Sequence, residues 1–189
     1  MINKFVDKLN ADGLVTYINT LQGITVKLGA QNVADVQSDE NDIDGDNLLV
    51  TIVRIEEEST LKNFPNQRLV ENGGSFKLDK RFPKIHLNYY LLFSCTLQYD
   101  KAIAVIYKAI KFFQHQRKFN FTADDDTIEL NMELCSPSFE QLNNIWGMLG
   151  GKQMPSVLYK ARVSSIERDI EKLTAVITTI GGELGHSNE

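Results

Sequence analysis

The chain has 189 residues, 42% of them hydrophobic and 24% charged, with a formal net charge of −5. A chain of that length buries about 70% of its unfolded surface, so a single domain folds without a metal or a disulfide. The acidic balance argues against nucleic acid as a partner, and no apolar run approaches the ~18 residues of a membrane span.

From Ile2 the positions Ile2, Phe5, Val6 and Leu9 keep helical spacing, and Val15, Ile18 and Leu21 continue it past Gly13. This predicts either one broken helix or two short ones packed on the core. Ile24–Leu28 reads as a short strand. Asp35 to Asp46 is acidic and ends in the turn signal Asp44-Gly45-Asp46-Asn47. Leu48 to Ile55 is β-rich and largely apolar, as in a strand covered on both faces. Thr60 to Gly74 predicts an extended loop or a projecting hairpin.

Ile85 to Tyr99 alternates cleanly, with Ile85, Leu87, Tyr89, Leu91, Phe93, Cys95, Leu97 and Tyr99 on one parity. Asp100 is placed to cap the next helix, whose buried face reads as Ala102, Ile103, Ile106, Ala109, Ile110 and Phe113. Thr127 to Cys135 alternates again, with Ile128, Leu130, Met132 and Leu134 inward. Leu142, Ile145, Trp146 and Leu149 then share one helical face. That helix has two rival starts, Ser136-Pro137 and a Ser138–Gln141 capping box, and it stops at Gly150-Gly151. Trp146 reads as core, its ring N–H finding a partner. Val157 to Val163 alternates as a strand. After Ile166 the pattern fits a helical stripe, yet Thr174 to Thr179 is rich in β-branched residues, which favours a terminal strand at Thr174–Ile180. The sum is an α+β (α/β) single domain: a largely antiparallel mixed sheet with helices packed on it.

Chemistry is sparse. His86, His115 and His186 lie on a strand's polar face, a basic helix end and the tail, and read as surface histidines rather than metal ligands. Cys95 and Cys135 read as reduced core thiols of a cytosolic protein. No G-x-S-x-G elbow, P-loop or G-x-G-x-x-G occurs. Glu40-x-Asp42-x-Asp44-Gly45 imitates a calcium loop but has Thr51 at the twelfth position, where the bidentate Glu belongs. Glu56, Glu57 and Glu58 are adjacent on a strand and point to alternate faces, so they cannot converge on Mg²⁺ without a bulge. The sequence thus predicts no enzyme, no cofactor and no metal.

Charge is distributed unevenly. Nine acids lie between Leu28 and Leu61 against Arg54 alone, and nine bases lie between Lys77 and Lys118 against Asp79 and Asp100. Lys108, Lys111, His115 and Lys118 line one helical stripe, which is either solvated surface or half of a contact. If opposite poles of neighbouring copies meet head to tail, the contact closes a ring. Lys152 and Met154, beside the glycine stop, are further interface candidates, as are Glu56, Glu57 and Glu58.

The stretches Leu48–Asn63, Phe82–Gln114 and Leu142–Val163 together resemble the tail-terminator (cap) proteins of contractile injection systems, the phage-tail-like particles that include the antifeeding prophage. The resemblance implies a structural protein that caps the end of the inner tube and sheath as a sixfold ring. Its partners are then itself, the inner tube protein and the sheath protein, with no nucleic acid and no membrane insertion. It implies a cap domain over residues 1–170 and a short tail or arm over 171–189. Longer members carry a C-terminal extension beyond the matched region, so functions of that extension do not transfer, and a paralogous cap subunit is allowed to share the ring. Sheath subunits of these machines exchange strands. The tail, with Leu173, Val176, Ile177 and Ile180, or the strand Ser156–Val163 is therefore expected to donate or accept one. With no charged-then-apolar leader, the product is expected to be made in the cytoplasm and assembled into a particle that is either released or anchored. The rival classes are a monomeric adaptor and a small α/β enzyme.

Overall fold

The computed structural model describes residues 1–36, 47–58, 67–72, 75–80, 85–123, 126–166 and 175–176. Two helices open the chain, α1 (Ile2–Ala11) and α2 (Leu14–Ile18), separated at Gly13, whose φ of 88° is the left-handed value that breaks the run. Of the two arrangements expected, this is the pair of short helices. The strand expected at Ile24–Leu28 contracts to β1 (Leu28–Gly29). The reason is local: the Asn19 side chain accepts from the Val26 N–H at 2.9 Å and donates back to the Val26 carbonyl at 3.4 Å, occupying groups that a ladder needs.

After α3 (Val33–Val36) come β2 (Leu48–Glu57), the hairpin β3 (Gln67–Asn72) and β4 (Ser75–Lys80), and β5 (Ile85–Cys95). The strand expected to run to Tyr99 ends four residues earlier. Its ladder with the later strand stops at Ser94, because Cys95 and Thr96 turn their N–H groups to the carbonyls of Pro155 and Asn47. Tyr99 instead opens α4 (Tyr99–His115). Asp100 does not cap it: Gln98 holds the cap position without a side-chain bond, and Asp100 sits in the first turn, where its charge suits the helix N-terminus.

An unanticipated strand follows, β6 (Lys118–Ala123), with Phe119, Phe121 and Ala123 buried and the residues between them exposed. β7 (Asp126–Cys135) pairs with it, then α5 (Phe139–Met148), β8 (Ser156–Ile166) and β9 (Ala175–Val176) complete the described chain. α5 starts at the capping box. Ser138 Oγ accepts from the Gln141 N–H at 3.2 Å, and the Gln141 side chain accepts from the Ser138 N–H at 2.9 Å. Gly150 and Gly151, with φ of 97° and 79°, end it as expected.

The main sheet has the order β1-β2-β5-β8-β7-β6, antiparallel except for the β1–β2 pair. β3, β4 and β9 make a second, three-stranded sheet, in which Lys77 pairs with Val176 and Leu78 with Ala175. This is the part of the expected terminal strand that the structure describes. Leu173, Ile177, Ile180, His186 and the calcium-like run lie outside the described residues.

Each face of the main sheet carries helices. On one, α1, α2 and α4 pack over Leu91, Phe93, Tyr159, Ala161 and Val163. Phe113 sits 5.0 Å from Phe93 and 4.9 Å from Tyr159, ring centre to ring centre, at the middle of this layer. On the other face, Trp146 and Leu149 of α5 join Val33 to cover Leu49, Leu92 and Leu158. Trp146 is core, as expected, but its ring N–H has no acceptor among the described residues, because its cluster neighbours are apolar. Two positions expected to be buried are not: Ile103 and Leu134 are 46% and 55% exposed. α4 buries Ala102, Val105, Ile106, Ala109 and Phe113, and helical spacing puts Ile103 to one side of the face these share.

Candidate interaction surfaces

Strand parity places two kinds of surface on the face covered by α5. Under the helix it is apolar. Beyond the helix it is a ladder of charges crossing four strands, where register aligns Arg54, Tyr90, Lys160 and Glu133 in one row and Glu56, Asn88, Arg162 and Asn131 in the next. A register shift between Ile52 and Arg54 sets the parity of Glu56 and Glu58. Glu58 accepts from Asn88 Nδ2 at 3.0 Å and lies 3.8 Å from Lys160 Nζ. This is the most enclosed ion pair in the ladder, with the two side chains 14% and 22% exposed. Arg162 meets Glu133 at 3.6 Å and Arg54 meets Glu56 at 3.5 Å, both nearer to water and worth about 0–1 kcal/mol each. Burial, and next the hydrogen bond that its hydroxyl donates to Glu56, raise the Tyr90 pKa, while Arg54 stands 5.9 Å over its ring. Glu57 alternates to the opposite face, so the three acids divide as strand geometry requires.

The basic stripe is also divided. Lys108 places Nζ 4.4 Å over the Tyr17 ring and donates to Thr20 Oγ1 at 3.2 Å; Lys111 Nζ sits 4.6 Å over Tyr107. Lys118 is not on this helix, which ends at His115, but opens β6 and pairs with Glu129 at 3.9 Å. Lys152 is exposed after the glycine stop, whereas Met154 is half-buried against the Trp146 cluster. Sequence reasoning missed the exposed apolar side chains: Tyr99, Ile103 and Tyr107 on α4, Leu134 on β7, and Phe139 and Met148 on α5.

Edges matter as much as faces. β8 pairs with β5 on one side and β7 on the other, so the expectation that Ser156–Val163 offers a free edge is wrong: its main chain is already used. Among the described residues, the open edges of the main sheet belong to β6 and β2. β1 covers β2 only at Leu48 and Leu49, and from Val50 to Ile55 the outer edge has no main-chain partner among the described residues. The chain beside it is held by a side chain instead, since Thr51 Oγ1 donates to the Gln31 carbonyl at 2.7 Å and accepts from the Val33 N–H at 3.3 Å. A groove of about 340 Å³ runs along this edge, bordered by Ala30, Ile52, Ile145 and Met148.

Among the described residues no cluster of His, Cys, Asp and Glu is placed to hold a metal ion, and no helix is long and apolar enough to cross a membrane. Cys95 and Cys135 are free thiols whose pKa values are raised by burial, which suppresses the nucleophilic thiolate.

Residues 9–179 match the family model of the Pvc16 N-terminal domain. Two solved structures share the fold. The PVC sheath/tube terminator of an extracellular contractile injection system, in its extended state, aligns at a TM-score of 0.53 and 17% identity over 97% of this chain and 64% of that chain. The tube-terminating cap of the anti-feeding prophage aligns at 0.54 and 20% identity over 94% of this chain and 60% of that chain. The chain therefore spans less than two thirds of the length of either structure. No curated protein matches its sequence.

Proposed function

Since this chain belongs to the family of the Pvc16 N-terminal domain, we propose that it is a structural terminator, ending the growth of the inner tube and contractile sheath of a phage-tail-like injection system. The observation that carries the reading is the family match over residues 9–179, supported by the fold shared with a sheath/tube terminator and a tube-terminating cap. The working form is a homo-hexameric ring, built head to tail, whose partners are the tube and sheath proteins, with room for a paralogous cap subunit. The mechanism is contact without reaction. One side of the ring offers what the last layer of the polymer expects from its successor, and the other offers nothing that recruits a further layer.

Open strand edges suit the first task, because an incoming extended segment gains main-chain hydrogen bonds without requiring a preformed pocket. The β2 edge from Val50 and the outer edge of β6 are the two candidates in the main sheet. The tail from Leu173 to Ile180 is the candidate donor, with Ala175–Val176 already adding to β4. Deleting the residues after Arg168 is expected to leave a folded protein that no longer retains sheath in a pull-down. Unchanged retention would assign docking to the edges of the main sheet. The test of the whole reading is co-purification of the tagged chain with tube and sheath proteins, followed by imaging of the tag on particles. Label confined to one end supports the proposal; label along the sheath, or a chain that never leaves the monomer pool, contradicts it.

A further inference from the structure

We propose that the outer face of α4, with the groove beside it, receives the acidic segment at residues 35–46 of a neighbouring copy of this chain. The inference rests on the ring reading above and names the contact that makes the ring.

The receiving surface is built from two elements. Tyr99, Ile103 and Tyr107 recur every four residues along α4 and are 75%, 46% and 57% exposed, an apolar stripe that its own fold leaves open. The stripe runs into a groove of about 360 Å³ between Ile110 and Gln114 of α4 and Met132 and Leu134 of β7. Leu134, 55% exposed, forms the far lip.

The charge around this surface decides what fits it. Lys111, whose Nζ sits over the Tyr107 ring, flanks the stripe, and Arg117 lines the groove. Among the described residues, few acids lie nearby. Asp100 lies in the first turn of the helix, and Glu133, which also lines the groove, is paired with Arg162. A basic, aromatic surface selects an acidic segment with isolated apolar side chains. The ten residues of this segment beyond α3, 37–46, contain Asp39, Glu40, Asp42, Asp44 and Asp46, no base, and Ile43 as the branched apolar side chain.

A second copy is the better donor than the same chain. The segment is tethered at α3, which packs on the α5 face, and at β2, while the groove opens on the α4 face beside β7. β7 lies three strands from β2 in the sheet order, about 14 Å away. Ten residues held at both ends project no more than about 18 Å when fully extended, and part of that is spent passing to the other face. A neighbour's segment meets no such constraint, and the resulting contact joins unlike surfaces, as a ring requires.

The test places a photo-crosslinking amino acid at Tyr107 in the full chain, irradiated both as purified protein and within assembled particles. The expected product is a dimer whose crosslinked peptide comes from residues 35–46. Lys111→Glu should reduce its yield about tenfold at low salt, and the paired changes Asp42→Lys and Asp44→Lys in the partner copy should restore it. A crosslink to tube or sheath protein, to another part of the chain or within one copy, or no crosslink in particles whose ends carry the protein, overturns the inference. A dimer crosslink formed by purified chain that is absent from particle ends supports this contact and counts instead against the terminator reading.

Discussion

Tyr159 joins the core to a measurable pH response. Its side chain is 3% exposed, packed against Phe93 and Phe113, and burial pushes its pKa from 10.0 up to about 12, with Arg117 pulling slightly the other way. The folded state therefore holds this proton where the unfolded chain releases it, so stability is intact below pH 10 and falls as pH rises from about 10 towards 12. Tyr159→Phe is expected to flatten that alkaline limb in urea titrations run across this range. A limb unchanged by the substitution would place the ionisation elsewhere. Gly151 offers a second single-residue test. A Cβ there meets no atom within 4 Å, and φ is 79°, so Gly151→Ala isolates backbone strain. It should lower stability by about 1 kcal/mol in chemical denaturation, with an unchanged denaturant slope.

At the scale of elements, α5 is the best-marked helix. Ser138→Ala removes the side-chain acceptor from one end of its capping box and should cost about 1 kcal/mol, read as earlier loss of amide protection in the first turn of α5. Loss of protection spread evenly over the sheet would argue that the cap is not local. Much of this layer was legible in the sequence. The periodicities of β5, β7 and α5, the break at Gly13 and the glycine stop all have short-range causes, and each was found. What was not legible depends on neighbours. Ile103 was read onto the buried face of α4 and Val105 was not, whereas the layer of Phe93 and Tyr159 beneath the helix takes Val105 and leaves Ile103 out. Leu134 keeps the apolar parity of β7 but lies where α4 no longer covers the strand, at the groove's lip. β6 carries a clear period of two over six residues, Lys118 to Ala123, but was masked by a basic stripe that seemed to continue α4 through Lys118.

For the whole molecule, an alternating strand reads alike at the centre and at the rim of a sheet, so pattern could not say which strands become edges. That is why Ser156–Val163 looked available while the edges open among the described residues, along β2 and β6, did not stand out. The charge poles were visible as composition, yet part of each dissolves into internal contacts, Lys108 of the basic pole on Tyr17 and Glu58 of the acidic pole beside Lys160. Beside the bases that stay exposed, such as Lys111 and Lys118, the surface carries exposed apolar and aromatic side chains on α4, β7 and α5. A monomer seldom keeps such surfaces without a use, and the proposed ring would supply several. The central claim, that this protein ends a polymer, is tested most directly by the length distribution of particles assembled without it. Deleting the gene is expected to yield sheaths and tubes of scattered length with open distal ends, restored to uniform length by the wild-type chain supplied in trans. Particles of uniform length with intact ends in its absence would contradict the account.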